Sequence, residues 1–533
     1  MRIPTTEVRS LLLCSAVGSG NNRPTYNSLH TTAVHILDDD SLLNIFHLYR
    51  PFLLGENEDD DSRLGEGDGR EKWVGERWWF KLAHVCQRWR NLILGSSSYL
   101  RLCLVCTNCT PVADMLAHSP PFPLVFEYNY EDPDMAAEDE EGIMLALQER
   151  DRVRRVRLRM PVPTLRKLVT SISGGYPKLE YLIIAPSLED TSTSFTLPES
   201  FQAPNLRLIV LFDFAFPKES RLLTTATGLV TLALALYTPS TFFQPNVLLQ
   251  WISLMPQLET LMITILFTVS DSDLETQFTH TPTTTHITLP NLRCFWFRGA
   301  SAYLEAFVSQ IGTPHLEKLE IYFFDQPMFS VPRLAQFMNT TENLKFRVAK
   351  LHFSYGQFDV EAYPREDAET CALYLSVICW PFDRQVSTMA QIFNPSSQIF
   401  SAVEHLTLKQ DGDNLSYEEQ NAVYRSQWHT LLRSFNNVKI LRVNDWLVHE
   451  LSRCLGLDDG ERPLDLLPKL QELAYTGSSN AGDAFAPFID DRRDIGRPVT
   501  LVYRSPSPSR SEPPSEGPTI TSARDDVGND SNT

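Results

Sequence analysis

The sequence predicts an α/β chain, with a small N-terminal helical unit followed by an α/β solenoid built on a curved parallel sheet. Three observations carry this expectation. A motif in which apolar residues stand at positions one, four and six returns many times after residue 150. Stretches with apolar residues at helical spacing lie between the motifs, and two amphipathic segments with matched apolar faces precede them all.

Residues 1–32 are polar and without pattern, and are expected to be disordered. The first helix is predicted in "ILDDDSLLNIFHLYR", where Leu42, Ile45, Phe46 and Tyr49 follow the i, i+3, i+4, i+7 rule. Asp38 to Ser41 supply oxygens for its free amide groups. An acidic, glycine-rich insertion follows at about 55–77. Behind it, in "WWFKLAHVCQRWRNLILGSSSYL", Leu82, Val85, Cys86, Trp89, Leu92 and Ile93 predict a second helix. Two such helices bury too little surface to be stable alone, so residues 33–100 should pack on more chain or on a partner.

From residue 101 to 504 the sequence reads as the solenoid. Motifs begin at Val153 ("RVRRVRL"), Leu179, Leu206, Leu229, Leu258, Leu292, Leu316, Val348 ("RVAKLHF"), Val403, Val438 and Leu470. Their spacing is 23 to 35 residues, except for one gap of 55 that holds a further strand-like run, "CALYLSVICW". One unit in this interval is the mark of a solenoid. Alternation along a strand turns the fourth and sixth positions inward. Helical spacing between motifs, as in "FQPNVLLQWISLMP", makes each unit a strand followed by a helix. Such units are stabilised by stacking on one another, and the sheet they form is a binding surface by geometry. Glu180, Arg207, Glu259, Arg293 and Glu317 are the expected charged residues of its concave face. From Ser505 the Ser/Pro-rich, aromatic-free end is expected to be a disordered tail.

Composition excludes several classes. At −19 the chain lacks the Lys/Arg stripe that displaces counterions from nucleic acid. Much of that charge lies at Glu56 to Glu71 and Glu131 to Glu141, which read as solvated loops. Nine scattered cysteines do not form a disulfide framework and favour a reducing, intracellular location. No apolar run reaches the length of a membrane span.

Signatures of chemistry are missing. There is no GxxxxGK[ST], HExxH or GxSxG. "GEGDGR" at 65–70 has no preceding strand to make a phosphate loop, and "QDGDN" at 410–414 lacks the distant glutamate of a calcium loop. Cys103, Cys106 and Cys109 have ligand-like spacing without a fourth ligand, so strand and turn roles are expected. His84 and His405 fall within predicted elements as structural residues. No catalytic residue, cofactor or metal is expected.

The whole resembles the F-box-like leucine-rich-repeat proteins of basidiomycete fungi. Leu37, Ile45 and Phe46 match the opening of an F-box, and Val85, Cys86, Trp89 and Arg90 match its V-C-x-x-W-R close. The resemblance continues through "VADMLAHSPPFPLVFEY", the repeats, "WPFDRQVSTMAQIFN" and "FAPFIDDRRDIGRPVTLVYR", covering about residues 33 to 504. Asp38 stands where the family usually has proline, and the asparagine that normally follows each repeat core is missing, leaving irregular repeats without a side-chain ladder. The resemblance implies an N-terminal helical F-box, a leucine-rich-repeat-like solenoid, and the role of substrate receptor in an SCF-type cullin-RING ubiquitin ligase. Leu37, Leu42, Ile45, Phe46, Leu82, Val85, Cys86 and Trp89 would then divide between a small core and the surface that binds a Skp-type adaptor, and through it a cullin. The alternative is a repeat scaffold that binds a target protein without a ligase, its terminal helices serving as a cap.

Overall fold

The computed structural model describes residues 37–49, 78–130, 137–187, 194–217, 220–267, 286–326, 328–380, 382–411, 422–456, 465–476 and 479–504. The expected disordered N-terminus, the acidic insertion at 55–77 and the Ser/Pro-rich tail lie outside the described residues. The chain divides into two compact units, Met1–Cys103 and Leu104–Thr533.

The first unit contains α1 (Asp39–Tyr49), α2 (Trp78–Ala83) and α3 (Gln87–Gly95). The single helix expected over Leu82 to Ile93 is therefore two. The chain turns at His84 and Val85, and Cys86 is extended, with φ −156° and ψ 170°. Its Sγ accepts the Trp89 amide at 3.5 Å, as an N-cap does. Apolar spacing hides the break because residues on both sides of it keep the same periodicity.

The second unit is organised by one sixteen-stranded sheet, from Leu104–Thr107 at one edge to Thr500–Tyr503 at the other. Alternating burial within strands such as Thr260–Ile265 and Lys318–Phe323 is what the motif dictates. The fourth motif positions form one row, pairing Val156, Leu182, Ile209, Leu232, Leu261, Phe295 and Leu319 in succession. All are buried, and burying each side chain contributes about 1.5–3 kcal/mol. Helices cover this face: Phe295 meets Phe307 at 5.5 Å, and Phe353 meets Trp428 at 5.9 Å, between ring centroids.

The 55-residue gap contains the one departure from parallel order. Strand Gln357–Tyr363 runs antiparallel to both its neighbours, Val348–Ser354 and Leu373–Ile378, and the three are inserted in reverse spatial order. Leu373–Ile378 is the strand-like run seen in the sequence, and it pairs parallel with Lys318–Phe323. "QFDVEAY" is a strand that carries no motif. Val348–Ser354 then pairs parallel with His405–Gln410 and the repeats resume.

Register also moves one repeat. Ala349 pairs with Leu406, and the Glu404 amide bonds the Arg347 carbonyl at 2.8 Å, just as Glu180 bonds Arg154. The repeat therefore begins at Phe346, not Val348. Val348, Leu351 and Phe353 imitate the motif, while alanine at the true fourth position weakens it.

The strand-then-helix expectation also fails locally. Between Tyr181–Pro186 and Leu208–Phe212 no helix occurs among the described residues, and the two-residue strand Phe195–Thr196 pairs with Phe214–Ala215 instead. Conversely, the acidic stretch expected as a loop to Glu141 includes the start of helix Ala137–Gln148. Its Glu138, Asp139 and Glu140 stand in the first turn, where negative charge is favoured.

The repeats do carry side-chain bridges between neighbours. Asn444 Oδ1 accepts the Gln410 amide at 3.1 Å, and its Nδ2 donates to the Gln410 carbonyl at 2.7 Å. At a corresponding turn the Asp213 carboxylate accepts the Tyr237 and Thr238 amides, each at 3.0 Å. Two of the turns are thus bridged by a polar side chain, Asn444 reaching back to the preceding repeat and Asp213 forward to the next.

Candidate functional site

In the helical unit the sequence-predicted residues converge. Leu37, Leu42, Ile45, Phe46, Leu82 and Trp89, with Tyr49, line one apolar cavity of about 50 Å³. Leu42, Phe46 and Trp89 are its buried floor. Leu37, Ile45 and Leu82 are half-buried, so the cleft has apolar walls that reach the surface. Of the eight residues, Val85 and Cys86 do not line it. Val85 stands on the turn at 59% exposure, and Cys86 is occupied in capping α3. Leu48 and Tyr49 on α1 are likewise exposed.

Helix α1 is fixed at its start by residues that apolar spacing does not reveal. Asp38 Oδ1 accepts the Ser41 amide at 2.6 Å, and hydrogen bonds from Ser41 hold its carboxyl below the ordinary aspartate value. Arg88 then ties α1 to α3. Its Nη2 donates to the Leu37 carbonyl and to Asp39 Oδ1, both at 2.7 Å. A guanidinium engaging two acceptors holds direction as well as distance. The start of α1 is thus held by a charged clamp.

On the repeat sheet the five residues expected on the binding face lie elsewhere. Glu180, Arg207, Glu259, Arg293 and Glu317 each precede a strand and share the parity of its buried residues. A slip of one residue exchanges the two faces of a strand. Their backbones extend the ladder, and side chains bridge along it, Arg154 to Glu180 at 2.9 Å and Arg293 to Glu317 at 3.4 Å. Opposite charges on adjacent strands support register.

The opposite face, helix-free among the described residues, is set by the alternate residues. Near the antiparallel insertion it carries Trp296, Tyr322 and Tyr374, consecutive rings 5.3 Å apart. The Tyr374 hydroxyl donates to Asp359 at 3.0 Å, and burial pushes its titration far above the ordinary tyrosine value. At the other side of the face Arg155, Arg157 and Arg159 project from Val153–Met160. Such aromatic and guanidinium side chains are the types that anchor protein interfaces.

The residues singled out for chemistry are placed structurally. Cys106 is buried in a strand, Cys109 is exposed in a turn with φ 60°, and among the described residues no three His, Cys, Asp or Glu side chains gather to hold a metal. His84 lies in the turn after α2, and His405 on a strand contacts Glu366 at 3.2 Å. No helix among the described residues is long and apolar enough to cross a membrane.

No family model and no curated protein matches the chain. Among solved structures it is similar to the leucine-rich repeat-containing protein LegL7 from Legionella pneumophila, at 11% identity over 66% of this chain and 90% of that one, with a TM-score of 0.24. The strand order and register by themselves define an α/β repeat solenoid, preceded by a helical unit.

Proposed function

We propose that the chain is the substrate-recognition subunit of an SCF-type cullin-RING ubiquitin ligase. The helical unit docks on a Skp-type adaptor and through it a cullin, in the cytoplasm or nucleus. The repeat sheet holds a target protein for ubiquitin transfer by a separate conjugating enzyme. The chain itself supplies binding and no chemistry. One observation supports this above others: six of the eight residues expected to divide between a small core and the adaptor-binding surface surround a single apolar cleft. Interfaces draw most of their energy from such apolar anchors.

A second reading has its own support. Leu42, Phe46 and Trp89 are buried inside the helical unit, and Arg88 clamps the start of α1. A unit so organised serves equally as the cap of a repeat scaffold that binds a partner without a ligase.

The separating experiment is co-purification of the full chain with the Skp-type adaptor of the same organism. Val85→Asp and Leu48→Asp are the informative variants, because both residues are exposed and the unit keeps its core. Capture by the wild type and its loss in these folded variants would support the receptor. Failure of the wild type to capture the adaptor would leave the uncoupled scaffold.

A further inference from the structure

The chain is strongly acidic, yet two guanidinium groups on the face of the sheet opposite the buried row have no carboxylate partner among the described residues. Strand Val153–Met160 carries three arginines there. Arg157 is bridged to Glu127 at 3.2 Å, and Arg155 lies over the Tyr181 ring at 4.6 Å. Arg159 has no ion-pair partner among the described residues. Arg298, on Cys294–Gly299, has none either, and faces only the Phe324 ring at 5.8 Å.

Strand register sets these two arginines at the ends of one row. Arg159 lies opposite Ala185, Phe212 opposite Ala235, Ala235 opposite Thr264, and Thr264 opposite Arg298. Between its ends the row carries short side chains at Ala185 and Thr264, both half-buried, and at the buried Ala235. In the middle Tyr237 stacks on Phe212, ring centroids 6.3 Å apart and planes 12° from parallel. Burial raises the Tyr237 hydroxyl above its ordinary value; Arg298 and Arg159 pull it down, and the buried Asp213 carboxylate pushes it up. The ends of the row are five strand spacings apart, roughly 24 Å in a flat sheet, which an extended segment of about seven residues spans.

We propose that this row binds an acidic, extended segment of a partner protein, with carboxylates on Arg159 and Arg298 and apolar side chains on Phe212 and Tyr237. The inference rests on the repeat sheet being the partner-binding surface, and not on adaptor docking. Guanidinium pairs with carboxylate in a planar fork, and an unpaired half-buried guanidinium favours an anion over water. Nucleic acid is disfavoured, because a phosphate chain would meet the field of a −19 protein beyond these few cations.

The test is fluorescence anisotropy of the full chain with a library of short labelled peptides that mix Glu and Asp with Leu, Val and Tyr. Matched peptides with Gln and Asn are the controls. Acidic peptides should bind selectively and less tightly as salt rises. Arg159→Gln and Arg298→Gln should each weaken them about tenfold, the loss of one charged hydrogen-bonding partner. Arg207→Gln, at an exposed strand start outside the row, should leave binding unchanged. Equal binding of acidic and amide peptides would overturn the proposal, as would unaltered binding in the folded double variant. Adaptor capture by that double variant, read in parallel, reports on the ligase reading independently.

Discussion

The ring of Phe46 meets the indole of Trp89 edge to face, with centroids 4.8 Å apart and planes at 65°. The two residues come from α1 and α3, on opposite sides of the acidic insertion, and both are buried. They are therefore core before they are interface. Either substitution to alanine should destabilise the helical unit by about 3–5 kcal/mol, whereas Val85→Ser, on the exposed turn, should cost no more than about 0.5 kcal/mol. Amide hydrogen exchange in α1 would report the difference. Unchanged protection in Trp89→Ala would mean that this ring pair does not hold the unit together.

Asn444 makes the second prediction. It satisfies both backbone groups of Gln410, a residue with 2% exposure, so its removal leaves a buried donor and acceptor without partners. Asn444→Ala should cost about 1–3 kcal/mol and speed exchange of the Gln410 amide first. Asn444→Asp keeps the acceptor but loses the donor, and should not restore stability. Rescue by aspartate would show that the contact to the Gln410 carbonyl contributes little.

These sites show where sequence reasoning reached and where it stopped. Motif leucines such as Leu258, Leu261, Leu292 and Leu316 are fully buried, because alternation and a fixed repeat leave them one place to go. Phe346 was hidden by Ala349, which is too small to register as the motif's fourth residue, although the backbone ladder needs it there. Glu180 and its equivalents share the parity of the buried residues, because a shift of a single residue exchanges the two faces of a strand. Leu42, Ile45, Phe46, Tyr49, Leu82 and Trp89 of the apolar cleft are legible from helical spacing, whereas Leu37 enters only through the family resemblance. Arg88 is not legible in this way, since its partners Leu37 and Asp39 lie some fifty residues away and a lone arginine carries no periodic signal. The antiparallel strand Gln357–Tyr363 has alternation without the motif, so only pairing reveals it.

The last prediction concerns how one repeat caps the next. Glu305, on helix Ser301–Val308, accepts the backbone amides of Arg333 at 2.8 Å and Leu334 at 2.7 Å. These are among the first free amides of helix Pro332–Thr340, whose Pro332 has none to offer. Glu305→Ala should therefore cost about 1–2 kcal/mol, the loss of an N-cap supplied from a neighbouring helix. Burial raises the Glu305 carboxyl above the ordinary glutamate value, against the opposing pull of the two amides and Arg333. A raised carboxyl binds its proton more tightly in the folded state. Its stabilising contribution is complete below the unfolded value and is lost as pH rises through the folded one. Glu305→Gln keeps an acceptor but cannot titrate, so the wild type should lose ground to it as pH rises from the ordinary glutamate range through the raised folded value. Urea unfolding of both proteins across that range is the measurement. If the wild type instead gains on the glutamine variant as pH rises, the backbone amides outweigh desolvation and the carboxylate form is the one the fold prefers.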